Sequence, residues 1–173
     1  MNDQRKTLVL GLGNPILGDD GVGWRVVETF RTTFETHLAR QPVEFDCLSV
    51  GGLSLMERMI GYDRVILVDA ALTGNHPVGF VSCSLLEQIP NPAQGHLSSS
   101  HDTTLHNALA VGRNMGAHLP GEIWVVTIEA QHTYEFSEQL SPPVSDAIPE
   151  AVNTILSLLS NQIPSVLQSL GIS

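Results

Sequence analysis

LVLGLGNPILGDDGVGWRVV, residues 8–27, is the stretch from which the rest of the chain can be read. Thr7 to Leu12 is a short apolar run that Gly11, Gly13, Asn14 and Pro15 break, so the segment reads as a buried strand entering a turn. Apolar positions resume at Val22, Val26, Val27, Phe30 and Phe34 with helical spacing, which places Asp19 and Asp20 just ahead of a helix or in its first turn. An acid at that position satisfies free backbone N–H groups. Two adjacent acids leave one to spare, and the loop lies past the carboxyl end of a strand, where open α/β sheets hold their ligands. The spare carboxylate is therefore a candidate functional group.

Outward from this stretch, strands and helices alternate. The first helix fades near Leu38 to Arg40, and Val43 to Val50 reads as a second strand, interrupted by Asp46 and Ser49. Gly51 and Gly52 end it, and Leu53, Met56, Met59 and Ile60 space as a short helix closed by Gly61. Arg64 to Ala70, RVILVDA, is the most hydrophobic segment and reads as a central parallel strand with Asp69 at its carboxyl end. Gly79 to Leu86 is a fourth strand, antiparallel or at an edge, because Thr73 to Val78 is too short for a helical crossover. The proline- and serine-rich run Ile89 to Ser100 reads as an exposed loop. A third helix should begin at the Ser99 to Asp102 cluster and reach about Ala117. Glu122 to Glu129 is the last strand, and Val144 to Leu159 carries a final helix that Pro149 either kinks or starts. The expected fold is a single domain, residues 1–173: a three-layer α/β/α sandwich with a twisted, mostly parallel sheet of about five strands. Residues 161–173 form a C-terminal tail that docks or frays.

Composition narrows the function. Eight Lys and Arg stand against eighteen Asp and Glu, a net charge of −10, which opposes binding to a nucleic-acid backbone or an anionic membrane. The two cysteines, Cys47 and Cys83, each sit in an apolar strand-like run and read as small buried residues of a reducing compartment. No signal-peptide pattern or membrane-length apolar run is visible, so the expected location is cytoplasmic.

Asp20 after the first strand, Asp69 on the third and His101 at a helix start should converge at one sheet edge. Two carboxylates and an imidazole suit a borderline divalent ion such as nickel or zinc, with positions left open. Without a cation, two close carboxylates raise each other's pKa. The plainer alternatives are that Asp69 caps the next loop and that His101 bonds a neighbouring serine or Asp102. His101 and His106 are five apart and do not share a helix face as a zinc-protease pair at i and i+4 does. Neither a nucleophile elbow nor a CxxC occurs, so covalent catalysis finds no support.

GLGNPILGDDGVG, RVILVDA, SSSH at 98–101, and EIWVVTIEA followed by LSPPV together resemble the nickel-iron hydrogenase maturation endopeptidases across most of the chain. The resemblance implies that Asp20, Asp69 and His101 bind the metal. It implies an endopeptidase that removes the C-terminal extension of the hydrogenase large-subunit precursor after nickel insertion. The nickel would be held by the substrate, with no permanent ion on the protease, and the protease would act as a monomer. After the second strand the family shows an acid, small residues, Thr and Gly, whereas Asp46, Cys47, Leu48, Ser49, Val50 and Gly51 keep the acid, a hydroxyl and the glycine. Asp46 stands at the acid position and is the candidate for an aspartyl-type catalytic role, the plainer alternative being that it packs at a sheet edge.

GLGNP also resembles the opening of peptidyl-tRNA hydrolases. Their pattern continues with a tyrosine and a basic, histidine-containing turn, where this chain has ILGDDGVG and a charge hostile to tRNA. A non-catalytic nucleotide- or metal-binding module is the remaining alternative. The GxGxxG spacing is missing, and two acids would repel a phosphate from the helix start.

Overall fold

Every residue of β1 (Thr7–Leu12) and of β3 (Arg64–Ala71) is buried, the pattern of parallel strands covered on both faces. The computed structural model describes residues 5–39, 41–89, 104–131, 136–160 and 162–169. In it β1 and β3 pair in parallel, β2 (Val43–Leu48) flanks β1, and β5 (Glu122–Glu129) flanks β3. The fifth strand, β4 (Val81–Leu85), runs antiparallel along β5, giving the order β2-β1-β3-β5-β4.

Side-chain alternation divides this sheet into two apolar faces. On one face Val9, Ile66, Val68 and Val126 meet Val26 and Phe30 of α1 (Val22–Leu38) and Ile155 and Leu159 of α5 (Ile148–Leu159). On the other, Leu8, Leu10, Leu67 and Val125 meet Leu55 of α2 (Gly52–Arg58), Met59, and Leu105 and Leu109 of α3 (Leu105–Asn114). This is the three-layer α/β/α sandwich that the alternation of strands and helices implies.

Several element boundaries differ from expectation for local reasons. β2 stops at Leu48, where Gly13 N donates to the Leu48 carbonyl at 3.2 Å and Ser49 Oγ donates to Gly13 O at 2.7 Å. The chain is turned into the loop after β1 instead of extending to Val50. α3 begins at Leu105 and not at the 99–102 cluster, because Thr104 is its N-cap and accepts from Asn107 N through its side chain. Pro149 lies at the first turn of α5 and marks its start, with the short α4 (Pro142–Asp146) before it. Cys47 is half-buried and Cys83 exposed, not packed inside, since each lies on an edge strand.

The segment after α5 docks. Gln162 is fully buried, accepts from the Thr7 hydroxyl and donates to Arg5 O, and Ile163 is fully buried beside it. A short α6 (Pro164–Ser169) follows, with Leu167 against the core. No helix among the described residues is long and apolar enough to cross a membrane.

Candidate functional site

The chain leaves β1 toward α1 on one face, while β3 lies on the far side of β1 from β2. The carboxyl ends of β1 and β3 therefore flank the switch point where open α/β sheets form a crevice. Two glycines shape it. Gly13 has φ +121°, and a Cβ there would fall 1.8 Å from Asp20 O. A Cβ on Gly23 would fall 2.3 Å from both Leu12 O and Val68 O. Only glycine lets α1 start this close to both strands. The first helical turn is seated on the residues that immediately precede Gly13 and Asp69.

Asp19 and Asp20 occupy a 3-10 turn, Gly18–Gly21, that packs against β3. Neither acid caps α1, whose N-cap is Gly21 with no side-chain bond. Asp19 is buried and accepts from Ser141 N at 2.6 Å and Ser141 Oγ at 2.8 Å. Asp20 accepts from Asn14 N at 2.7 Å, so its carboxylate is turned into the loop over the end of β1. Asp69 is buried near the end of β3 and accepts from Ala70 N. By alternation it shares the α2/α3 face with Leu67.

Asp69 pairs across the sheet with Thr127, and Thr127 Oγ1 meets Ser82 Oγ at 2.7 Å. A row of polar side chains thus runs from Asp69 across β5 to β4. Glu129, buried at the end of β5, accepts from the Thr73 hydroxyl and from Gly74 N, which ties the β3–β4 loop down beside this row. The sequence reading missed Glu129 and Thr127; an acid closing the apolar run EIWVVTIE was the available signal.

His101 lies outside the described residues. Thr104, three residues on, opens α3, whose far end lies at the amino edge of the sheet: Gly61 N donates to His118 O, and Gly121 N donates to Asp63 O ahead of β3. Among the described residues no three His, Cys, Asp or Glu side chains form a metal cluster. Asp46 sits within β2 opposite Leu10, and its Oδ2 accepts from Arg58 Nε at 2.7 Å in an ion pair. Arg58 also donates to the Tyr62 hydroxyl. Next to it, burial pushes the Cys47 thiol up to about 11, with Glu28 and Asp46 adding to the shift. A thiol so raised is protonated at neutral pH and a poor nucleophile.

A family model described as hydrogenase maturation protease, HycI, matches residues 42–158. The chain belongs to the hydrogenase maturation protease family. Among relatives in the family, the hydrogenase expression/formation protein HupD of Rhizobium leguminosarum bv. viciae is 29% identical over 154 residues, covering 89% of this chain and 74% of its own. The hydrogenase 2 maturation protease of Escherichia coli K12 is 26% identical over 89% of this chain and 90% of its own. The solved hydrogenase maturating endopeptidase HybD of E. coli superposes with a TM-score of 0.68 at 23% identity, over 89% of this chain and 91% of that one. A hydrogenase 2 maturation peptidase from Thaumarchaeota archaeon SCGC_AB-539-E09 gives a TM-score of 0.62 at 26% identity, over 91% and 99%. The protease is thus a peptidase on the α/β/α fold expected of its family.

Proposed function

We propose that this protease removes the C-terminal extension of a nickel-iron hydrogenase large-subunit precursor once nickel has been inserted, and that it reads the nickel through Asp20, Asp69 and His101. The observation that supports the reading is that Asp20, in the turn after β1, caps no helix, while Asp69 lies buried near the carboxyl end of the neighbouring β3, so both belong to the same edge of the sheet. Nickel enters as part of the substrate. It would be met by Asp20 and Asp69 from the crevice and by His101 from the segment that leads into α3.

Chemically, a cation shared between precursor and protease docks the partner and polarises the scissile carbonyl toward attack by water. The protease supplies no activated thiol, since Cys47 is held protonated. The reading gives Asp46 no bond-making step, because Arg58 already engages its Oδ2. The two cysteines lie on opposite edges of the sheet, β2 and β4, too far apart to pair with each other. Two free thiols suit a reducing cytoplasm, where the protease would act as a monomer.

The test is cleavage of nickel-loaded precursor by wild type and by Asp20→Asn, Asp69→Asn and His101→Ala, following loss of the C-terminal peptide by mass spectrometry. Each variant should lose about a hundredfold or more in rate. Variants that cleave at the wild-type rate would remove these residues from the site.

A further inference from the structure

Large apolar side chains stand exposed at the same edge of the sheet as the acids. Ile16 lies in the loop after β1, Val50 and Leu53 lie where β2 passes into α2, and Phe136 precedes Ser137. Hydrogen bonds bring these three segments together. Ser137 N donates to Ile16 O at 3.0 Å and Gly18 N to Ser137 O at 2.6 Å, which sets Phe136 beside Ile16. The start of the same loop is held by residues 48 and 49, through Gly13 N on Leu48 O and Ser49 Oγ on Gly13 O. The loop that carries Asp20 therefore has apolar side chains on both flanks, Val50 and Leu53 on one and Ile16 and Phe136 on the other.

We infer that Ile16, Val50, Leu53 and Phe136 form an apolar rim that grips uncharged, apolar residues of the protein substrate on either side of the cation it presents to Asp20 and Asp69. This rests on the function proposed above and adds the surface that recognises the partner. Charge selects the occupant. The crevice is acidic within a chain of net charge −10, so the partner brings positive charge to the centre and apolar groups to the flanks. A second copy of this chain packed face to face would set its own Asp20 and Asp69 against these, and an anionic lipid surface would be repelled. Exposed apolar side chains gathered at one edge, and not scattered singly over the surface, mark a protein docking site.

The experiment measures cleavage kinetics and, separately, binding of nickel-loaded precursor by calorimetry, for wild type, Leu53→Ser, Phe136→Ser and the control Met115→Ser. Phe136 is 82% exposed and Met115 80%, and Met115 follows α3 at the opposite edge of the sheet, so the comparison isolates position from loss of apolar surface. Thermal melts confirm that each variant is folded. Leu53→Ser and Phe136→Ser should each raise KM and weaken precursor binding about tenfold, equivalent to about 1.4 kcal/mol, with the effect on KM and not on kcat. Met115→Ser should behave as wild type. Rim variants indistinguishable from Met115→Ser would overturn the inference, as would a fall in kcat at unchanged KM. Binding without cleavage by wild type would leave the rim testable by affinity while refuting the proposed reaction. A wild type that does not bind the precursor would overturn both.

Discussion

Asp19 gives both carboxylate oxygens to Ser141, whereas its neighbour Asp20 turns to Asn14 N inside the loop over β1. Asp19→Ala strips two half-buried donors of Ser141 of their acceptor and should lower stability by about 1–3 kcal/mol in urea melts. Asp20→Asn keeps an acceptor oxygen and should melt within about 1 kcal/mol of wild type while processing is lost. An Asp20→Asn protein that unfolds as early as Asp19→Ala would make Asp20 structural. The adjacent pair of acids was legible, one expected to cap the helix start and the other left as a candidate functional group; instead Gly21 is the N-cap, and Asp19 holds the fold through Ser141. How Asp19 holds it was not legible, because Ser141 is 122 residues away and no local pattern records it. The same applies to Cys47: an apolar run reads as burial, and that β2 is an edge strand emerges only from strand order, whereas Cys83 lies in a strand already expected to be antiparallel or at an edge. With its thiol pushed up to about 11, Cys47 should alkylate slowly at pH 8, and Cys47→Ser should process precursor normally. Rapid labelling would contradict the burial argument.

At the scale of elements, the β1–α1 junction controls the crevice. Gly23→Ala would drive a methyl into Leu12 O and Val68 O, both backbone atoms that cannot swing aside. We expect a loss of about 1–3 kcal/mol or more, together with weakened processing, because the helix start, and with it the turn that carries Asp20, moves off β1 and β3. A Gly23→Ala protein of wild-type stability would show that α1 is not seated as described. The five strands were legible as apolar runs, most clearly β1 and β3, every residue of which is buried between the layers. The start of α3 was not: Ser99, Ser100 and Asp102 are all competent caps, and the choice fell on Thr104, whose hydroxyl engages Asn107 N.

Across the whole molecule, acid should loosen the contacts that Arg5 and Lys6 make just ahead of β1. Glu44 is held below its ordinary range by the Tyr62 hydroxyl and then by Lys6. Asp63 is lowered chiefly by the Lys6 backbone N–H. Burial alone would raise Glu122, but the bonds from Arg5 and Trp124 and the charges of Arg64 and Arg5 outweigh it and bring it down. A carboxylate with a lower pKa folded than unfolded adds stability that is complete above the unfolded value, about 4.3 for Glu, and is lost as pH falls through the folded value. Urea midpoints should therefore be level above about pH 5 and fall steadily below it; a midpoint unchanged down to pH 3 would contradict this. None of these partners was legible, as Arg5 meets Glu122 only through the assembled sheet. The broader claim, that this crevice reads a metal in its substrate, is tested most directly by mixing the purified protease with nickel-free and nickel-loaded large-subunit precursor and weighing the products by mass spectrometry. Loss of the C-terminal peptide from the loaded precursor alone is the expected result, and equal cleavage of both would contradict it.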